Sequence, residues 1–355
     1  MTSPNRPLRL WEPAPEPPTR LGRHRKLAPL AGIHVSPICL GAMSIGDQWG
    51  NFKLLDAFYA AGGNFIDTAN NYQDETSEKF IGEWMETRRV RDQMVIATKK
   101  THYIGNNMKS LYLSVEASLK KLRTEYIDIL YLHWWDWECG VEEKGRFSTW
   151  YGISDTPAYI VAKANMYARL TGKTPFVIYQ GAWSILQRDF EREIIPMVRD
   201  EGMALAPWNV LAAGKIRSDE EEERREQTGE KGRRIFSDAW KRTPDERKVC
   251  QALEKVAAEV NAKSITSVAI AYVMQKTPYV FPIVGGRKIE HLMDNIDALN
   301  ISLSSEQIAY LEGVLPFDVG FPASMIGDGT AYRLTYTSTG AFDKWPYPQA
   351  IRPAK

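Results

Sequence analysis

The sequence predicts an α/β fold, a (β/α)8 or TIM barrel, from three observations. Short apolar runs alternate with amphipathic stretches, which is typical of a parallel sheet with crossover helices. Eight such runs occur, the number of strands in this barrel. The 355 residues, 44% of them hydrophobic, can bury a large core, and barrels of this kind commonly reach this size as one domain.

The apolar runs and the stretches between them give the predicted elements in chain order. The predicted strands are Val35–Leu40, Asn64–Asp67, Met94–Lys99, Ile127–His133, Trp150–Ser154, Phe176–Gln180, Met203–Pro207 and Val280–Val284. The predicted helices are Lys53–Ala61, Ser77–Arg88, Met108–Leu122, Pro157–Arg169, Glu191–Asp200, Asp245–Asn261 and Glu290–Ala298. Several helices carry start signals, such as Thr243 followed by Pro244.

The fourth crossover is predicted to be truncated. Between strands four and five only about eleven residues, 137 to 147, are free to cross over. A parallel connection needs roughly a dozen residues or more and usually a helix, whereas the VEEKG stretch can form one turn at most. We therefore expect the outer faces of strands four and five to be exposed, or covered by the C-terminal tail or a second subunit. The loops after Gly46 and Lys99 are also short. A real deletion, an alternative splice and a faulty gene model all remain open.

Three further segments complete the expected organisation. Residues 1–20 are predicted to form an extended, proline-rich arm, residues 21–314 the barrel, and residues 315–355 a tail that packs on or near the barrel. The charged segment 217–247 is interpreted first as a solvated loop or surface helix. The alternative is a flap over the active site, because the segment follows the seventh strand on the side where barrel active sites lie.

Composition narrows the classes of partner and location. The net charge of +1 argues against nucleic acid or an anionic membrane as a partner, and leaves a homo-oligomer open. The three cysteines show neither a disulfide framework nor metal-ligand spacing, so no metal is predicted and a reducing compartment fits. There is no run long enough to span a bilayer and no apolar signal core. A cytoplasmic location is therefore expected.

Four ionisable residues follow or end consecutive predicted strands: Asp67, Tyr72, Lys99 and His133. Each alone is more simply a helix cap, a surface group or a satisfied interior group. Together, at one end of a closed parallel barrel, they would form one site. A phenol is a poor acid at neutral pH unless an ammonium, itself held by a carboxylate, stabilises the phenolate. The histidine could then hold a substrate oxygen beside the phenol.

These residues carry a family resemblance. The stretches IDTANNY, ATK and LHWWD resemble the catalytic tetrad of aldo-keto reductases, and the wider text resembles the fungal aryl-alcohol dehydrogenase and norsolorinic acid reductase branch. The resemblance runs from about Leu21 to Asp328. It implies NADPH-dependent reduction of an aldehyde or ketone, an aryl or secondary-metabolite carbonyl, including tailoring steps of polyketide or terpenoid pathways. The absence of a GxGxxG loop after any predicted strand favours this family over a Rossmann dehydrogenase.

The resemblance also implies a site for NADPH/NADP+, with Asp67 in contact with it. Ser154, Asp155 and Gln180 would hydrogen-bond the carboxamide, and Trp183 would stack on the nicotinamide ring. The pyrophosphate would follow the residues after strand seven: Trp208, Asn209, Val210 and Leu211, with Lys215 nearby. The residues after strand eight would complete the site: Gly285, Gly286, Arg287, Lys288, His291 and Asn295. Arg287 and Lys288 at a helix N-terminus suit a 2′-phosphate, although a solvated basic turn is the simpler alternative.

The substrate would be a small carbonyl compound. His133 would orient it, and an aromatic pocket would be lined by residues on strand-end loops: Ala42, Met43, Trp49, Trp134 and Trp135. Two rival interpretations remain. One is a non-catalytic NADPH-binding partner protein of the channel β-subunit type, and the other is a vestigial enzyme destabilised by the short crossover.

Overall fold

The computed structural model describes residues 13–48, 52–100, 105–144, 151–230 and 239–353. The strands are β1 Arg25–Ala28, β2 Ala31–Val35, β3 Cys39–Gly41, β4 Phe65–Asp67, β5 Val95–Lys100, β6 Ile129–His133, β7 Tyr151–Ser154, β8 Ile178–Ala182, β9 Ala204–Trp208 and β10 Ile283–Val284. The helices are α1 Phe52–Ala60, α2 Thr76–Arg88, α3 Met108–Leu122, α4 Val141–Lys144, α5 Ala158–Leu170, α6 Ile194–Glu201, α7 Asp219–Thr228, α8 Pro244–Glu259, α9 Ile265–Lys276, α10 Ile289–Ile296, α11 Ser305–Gly313, α12 Ala323–Ile326 and α13 Leu334–Thr337.

Eight parallel strands form the barrel in the order β10-β3-β4-β5-β6-β7-β8-β9. The segment around β10 closes it, because Leu205 of β9 pairs with Val280 and Ile283 pairs with Cys39 of β3. β10 and β3 approach closely: a Cβ on Gly285 would lie 2.9 Å from the carbonyl oxygen of Gly41. The predicted (β/α)8 fold is confirmed, and the carboxyl ends of all eight strands meet at one end, where such barrels carry their sites.

The interior of the barrel is filled by side chains from the strands and from an N-terminal hairpin. Tyr131 of β6 crosses the interior, and a Cβ on Gly152 of β7 would lie 2.3 Å from its ring. Glycine at position 152 therefore makes room for this phenol. Leu27 and Val35 of the β1–β2 hairpin belong to the same buried cluster as the interior strand residues, so the hairpin closes the end of the barrel opposite the site.

The main differences between the predicted and the observed strands and helices lie in four places. The predicted strand Val35–Leu40 joins the end of β2 to the start of β3, because Pro37 has no N–H with which to continue a ladder. The β1–β2 hairpin was not predicted. Helix α9 was also missed, since it is buried on nearly every face and so lacks a polar stripe. Helix α11 was missed even though Ser304 and Gln307 form a capping box.

The charged segment contains a surface helix, as one of the two simpler interpretations predicted. Ser218 caps α7, and the buried carboxylate of Glu222 accepts hydrogen bonds from the side chains of Arg217 and Arg242. Burial acts to raise the pKa of Glu222, but the hydrogen bonds from these arginines lower it by more, so that its pKa is about 2. The helix is thus anchored to the barrel by a charged cluster. Residues 231–238 lie outside the described residues, and a flap role stays a prediction.

The described part of the fourth crossover agrees with the predicted truncation. It contains helix α4, with four described residues, and residues 145–150 lie outside the described part of the chain. On the outer wall an open groove is lined by α3, β6, α4, α5 and the turn after α5, including Leu111, Leu130, Ala168 and Phe176. Among the described residues, none of the tail lines this groove.

The tail contacts other parts of the barrel. Asp328 pairs with Arg199 of α6 at 3.1 Å, and Arg352 donates to the carbonyl oxygens of Leu303 and Gln275. Most of the predicted N-terminal arm lies outside the described residues, so the division into arm, barrel and tail stays a prediction. Within the described ranges, no helix is both long and apolar enough to cross a membrane.

Candidate active site

A buried ion pair lies at the carboxyl ends of β4 and β5. Lys99 is 1% exposed, and its Nζ donates to Oδ1 of Asp67 at 2.5 Å and to the carbonyl oxygen of Thr68 at 2.8 Å. The other carboxylate oxygen of Asp67 accepts from Nε2 of Gln180 at 2.8 Å. Burial acts to lower the pKa of Lys99, but Asp67 and then Tyr72 raise it by more, so the net pKa lies above its ordinary value. Lys99 therefore remains an ammonium at neutral pH.

Tyr72 lies above this pair, in the loop between β4 and α2. Its ring centroid is 5.1 Å from Nζ of Lys99. Burial raises the pKa of Tyr72, Lys99 lowers it and Asp67 raises it, and the net pKa lies above its ordinary value. The ammonium therefore acts in the predicted direction, by lowering the pKa of Tyr72, but desolvation outweighs this effect. At neutral pH Tyr72 holds its proton.

The loop that carries Tyr72 is strained and braced. Residues 73–75 have φ angles of 52°, 50° and 67°, an uncommon run for residues with a Cβ. Lys121 of α3 braces the loop, because its Nζ pairs with the buried Glu78 at 2.8 Å and donates to the carbonyl oxygen of Asn70 at 3.0 Å. The strained backbone is thus held where the phenol can reach the barrel opening.

His133, the last residue of β6, is 7% exposed and stays neutral. Burial, and then the charge of Lys99, lower its pKa to about 3. A neutral imidazole has one N–H donor and one acceptor nitrogen. Nδ1 of His133 has no hydrogen-bond partner among the described residues. The ring stacks on Trp134 at 4.2 Å between centroids and 27° between planes. The four predicted residues are thus brought to one end of the barrel.

Three predicted carboxamide ligands lie on the neighbouring strand ends. Ser154 is buried and donates through Oγ to Oδ2 of Asp155 at 2.9 Å, while the Asp155 N–H donates to the Gln180 carbonyl oxygen at 3.0 Å. Asp155 has a φ of 46°, and burial is the main cause that raises its pKa. Trp208 donates from Nε1 to Oδ1 of Asp155 at 3.3 Å.

The structure does not support Trp183 as the residue that stacks on the nicotinamide. Trp183 is 0% exposed, and its ring stacks on Phe190 at 5.8 Å and 11°. A ring with no exposed surface cannot lie against a cofactor. Trp208, the last residue of β9, is only partly buried. Both indoles come from adjacent strand ends and look alike in the sequence, so only burial separates them.

The backbone after β9 has an unusual conformation at three residues that carry a Cβ: Asn209 with φ 60°, Ala212 with φ 48° and Ala213 with φ 52°. The side chains of Val210 and Leu211 pack on the core, so at these two positions the backbone is what remains for a ligand. Lys215, predicted near the pyrophosphate, pairs with Glu246 at 3.2 Å. Such strained turns commonly occur at ligand sites.

The residues after β10 provide positive charge at a helix start. Arg287 and Lys288 are exposed, and Lys288 is the N-cap of α10. His291 is exposed on the same helix, whereas Asn295 is buried. Amide dipoles at a helix N-terminus together with two cationic side chains form a suitable binding site for a phosphate.

The predicted substrate residues are only partly brought together. Trp134 is 52% exposed beside His133, and Met43 is partly buried near the Tyr72 loop, its carbonyl oxygen accepting from Gln73. Ala42 is fully buried, and Trp135 lines the groove on the outer wall, so neither fits a substrate pocket. Trp49 lies outside the described residues.

The residues present fit a nicotinamide dinucleotide. The supporting observations are the unpartnered, buried Nδ1 of His133, the partly exposed indole of Trp208, the strained turn after β9 and the exposed cations at α10. The described residues contain no group of three or more His, Cys, Asp or Glu side chains that could hold a metal ion. The exposed cations at the start of α10 suit an anionic organic cofactor.

Comparisons with known proteins agree with this geometry. The sequence model of the family described as "Aldo/keto reductase family" matches residues 37–316 of this chain. An aryl-alcohol dehydrogenase [NADP(+)] of Phanerodontia chrysosporium is 59% identical over 386 aligned positions, which cover 98% of this chain and 100% of the relative. An aldo-keto reductase of Aspergillus calidoustus is 48% identical, covering 90% of this chain and 89% of the relative. Norsolorinic acid reductase A of Aspergillus parasiticus is 46% identical, covering 92% and 90%.

The first of these alignments also supports the predicted shortenings. Its 386 positions exceed the 355 residues of this chain, so at least 31 positions of the relative have no counterpart here. The four-residue α4 and the groove beside it lie where the sequence predicted the most serious loss.

The matched region covers most of the chain and all eight barrel strands. The family match and the relatives together confirm the predicted branch, the NADP-dependent oxidoreductase class and NADPH/NADP+ as the cofactor. This chain belongs to the aldo/keto reductase family.

Proposed function

We propose that this chain reduces an aryl aldehyde, or a related aromatic carbonyl of fungal secondary metabolism, to the alcohol with NADPH. The observation that carries the proposal is the buried Asp67–Lys99 pair with the protonated phenol of Tyr72 above it. The names of the relatives from Phanerodontia chrysosporium and Aspergillus parasiticus, an aryl-alcohol dehydrogenase and a norsolorinic acid reductase, support an aromatic substrate.

The chemistry follows from the protonation states of the side chains. NADPH, when bound, supplies the hydride that the carbonyl carbon receives. Tyr72 donates its proton to the carbonyl oxygen, and the ammonium of Lys99 stabilises the phenolate that is left. Asp67 fixes the position of the ammonium. His133 is neutral, so its N–H can hold the carbonyl oxygen without competing as an acid.

The exposed face of Trp134 favours a flat substrate. Its ring is half exposed and stacked on His133, so an aromatic aldehyde could lie against the indole while its carbonyl points at the imidazole. We propose that the nicotinamide contacts Ser154, Asp155, Gln180 and Trp208. In this arrangement Trp208, and not Trp183, stacks on the nicotinamide ring.

Purified protein tests the proposal directly. Benzaldehydes with different ring substituents are mixed with NADPH, and cofactor consumption and alcohol formation are measured together. Stoichiometric formation of alcohol supports the proposal. NADPH binding by fluorescence titration without turnover of any aromatic aldehyde would instead favour the non-catalytic partner protein. Against that alternative stands the assembled tetrad, since a binding protein has no need for a buried Lys99 beside Tyr72.

Arg287 and Lys288 are proposed to bind the 2′-phosphate. Removing a charge-assisted phosphate contact should weaken NADPH binding by about 1.5–3 kcal/mol and leave NADH nearly unaffected. Fluorescence titration of Arg287→Ala and Lys288→Ala with both cofactors measures this. Lys263→Ala, which removes an exposed lysine paired with Asp297, is the control for a general charge effect. Equal losses for NADPH and NADH would contradict the assignment.

The short crossover makes a destabilised, vestigial enzyme the second alternative. Among the described residues, no full helix covers the apolar side chains of β6 and α3 that line the groove. Such surface is worth about 25 cal/mol per Å², against folding margins of about 5–15 kcal/mol. We expect that grafting the corresponding crossover of a full-length relative between Asp136 and Tyr151 raises the melting temperature and soluble yield without changing cofactor preference.

A Gly/Ser insertion of the same length is the control for the graft, because it lengthens the connection without covering the groove. A native chain that is monomeric and melts as high as the graft would show that the short connection is accommodated. If the groove is covered by a second copy, the native chain should sediment as an oligomer and the graft as a monomer.

We also propose that the protein is cytoplasmic and that it has no nucleic-acid partner. The near-balance of 45 basic and 44 acidic residues supports the second point. Salt-dependent retention on immobilised nucleic acid would contradict it.

A further inference from the structure

We propose that Asn106 is a positioning residue that sets the orientation of the His133 ring through the backbone of Trp134. The inference rests on the proposed carbonyl reduction, in which His133 holds the substrate oxygen. Asn106 lies in the short loop between β5 and α3 and touches neither Tyr72 nor Lys99 in any described hydrogen bond.

The contacts of Asn106 converge on the end of β6. Its Nδ2 donates to the carbonyl oxygen of His133 at 2.8 Å and to that of Trp134 at 2.7 Å. An amide NH2 group has two hydrogens, and these two carbonyls take both. The backbone N–H of Asn106 donates to Oδ2 of Asp136 at 2.7 Å, which fixes the amide from the other side.

These bonds hold a conformation that the chain would otherwise leave. Trp134 has a φ of 62°, which a residue with a bulky side chain rarely adopts unless its surroundings impose it. In this conformation the Trp134 ring stacks on the His133 ring. Nδ1 of His133 has no partner within the described residues, so no hydrogen bond at that nitrogen fixes the ring. Among the described residues, the stack on Trp134 is the ring contact by which we propose that the imidazole is oriented.

We call the two hydrogen bonds from Asn106 to the carbonyl oxygens of His133 and Trp134 the clamp. Two variants remove the clamp in different ways. Asn106→Asp keeps the shape but replaces the NH2 donor by an oxygen, and Asn106→Ala removes the side chain. Asn107→Ala is the matched control, because the adjacent residue caps α3 by accepting the N–H of Ser110 and makes no bond to His133 or Trp134 among those described. A displacement of about 1 Å can cost on the order of 100-fold in rate. Both Asn106 variants should lower kcat about 10- to 100-fold with an unchanged Kd for NADPH, and the control should keep its kcat.

A double-mutant cycle separates positioning from a general loss of structure. If Asn106 acts through His133, then Asn106→Ala should cost little further rate in a His133→Gln background. Losses that multiply in full would overturn the proposal, as would wild-type kcat in both Asn106 variants.

The ring stack can also be measured without turnover. The chain has five histidines, and the His133 resonance is identified by its loss in His133→Gln. The ring current of Trp134 should shift that resonance upfield in the wild type, and the shift should disappear in both Asn106 variants but persist in Asn107→Ala. An unchanged resonance in the Asn106 variants would reject the clamp. A wild type without aldehyde reductase activity would reject the proposed function and leave the clamp to be decided by this measurement.

Discussion

Replacing Tyr72 with phenylalanine should lower kcat for aldehyde reduction by about two or more orders of magnitude, while the Kd for NADPH hardly changes. The ring and its packing remain, and only the acidic proton is lost. Because burial holds the pKa of Tyr72 above its ordinary value, the phenol is protonated throughout the neutral range. The reduction rate should therefore be flat at neutral pH and fall only in alkaline solution, where the proton donor is lost.

Tyr131→Phe is the matched control for this experiment. Its phenol is also near Lys99, with 5.7 Å between Nζ and the ring centroid, but it is fully buried inside the barrel. It cannot reach a substrate, so its replacement should leave kcat within a few-fold of wild type. Near-wild-type turnover by Tyr72→Phe, or an equal loss in both variants, would show that the proton comes from elsewhere.

The barrel was predictable because its signals are local and repeated. Each barrel strand is a short apolar run that ends near a polar residue. The predicted ends of helix α3 agree with the observed ones, and the structure shows that Asn107 caps its start. Helix α9 could not be predicted in this way, because a helix that is buried on nearly all sides has no periodic pattern. The β1–β2 hairpin has strands too short for alternation to be recognised.

The meeting of Asp67, Tyr72, Lys99 and His133 at one end of the barrel was predictable because each lies at or shortly after a strand end, and parallel strands bring those ends together. Burial was not predictable from the same pattern. Trp183 directly follows β8 and Trp208 ends β9, so the two positions look alike in the sequence. Only the structure shows that Phe190 covers the ring of Trp183. The net pKa of Tyr72 was missed for the same reason, since spacing reveals the nearby ammonium but not the desolvation that outweighs it. Asn106 carries no sequence signal, because its role depends on two carbonyl oxygens of another strand.

Replacing Lys99 with methionine should remove activity and also destabilise the protein. The carboxylate of Asp67 would lose its 2.5 Å partner while remaining buried and bonded only to Gln180 among the side chains described. Removing one partner of a buried ion pair typically costs about 3–5 kcal/mol, a large part of a folding margin of about 5–15 kcal/mol. The phenolate of Tyr72 would also lose its stabilising ammonium, so kcat should fall at least as far as in Tyr72→Phe.

The double variant Lys99→Met with Asp67→Asn separates the two effects. With no charge left in the pair, most of the lost stability should return, because replacing both partners avoids an isolated buried charge. Activity should not return, since the ammonium is still missing. Urea unfolding measures the first effect as a shift in midpoint at constant slope, and single-turnover reduction measures the second. If the double variant regained its activity together with its stability, Lys99 would serve only to neutralise Asp67, and stabilisation of the phenolate would need another source.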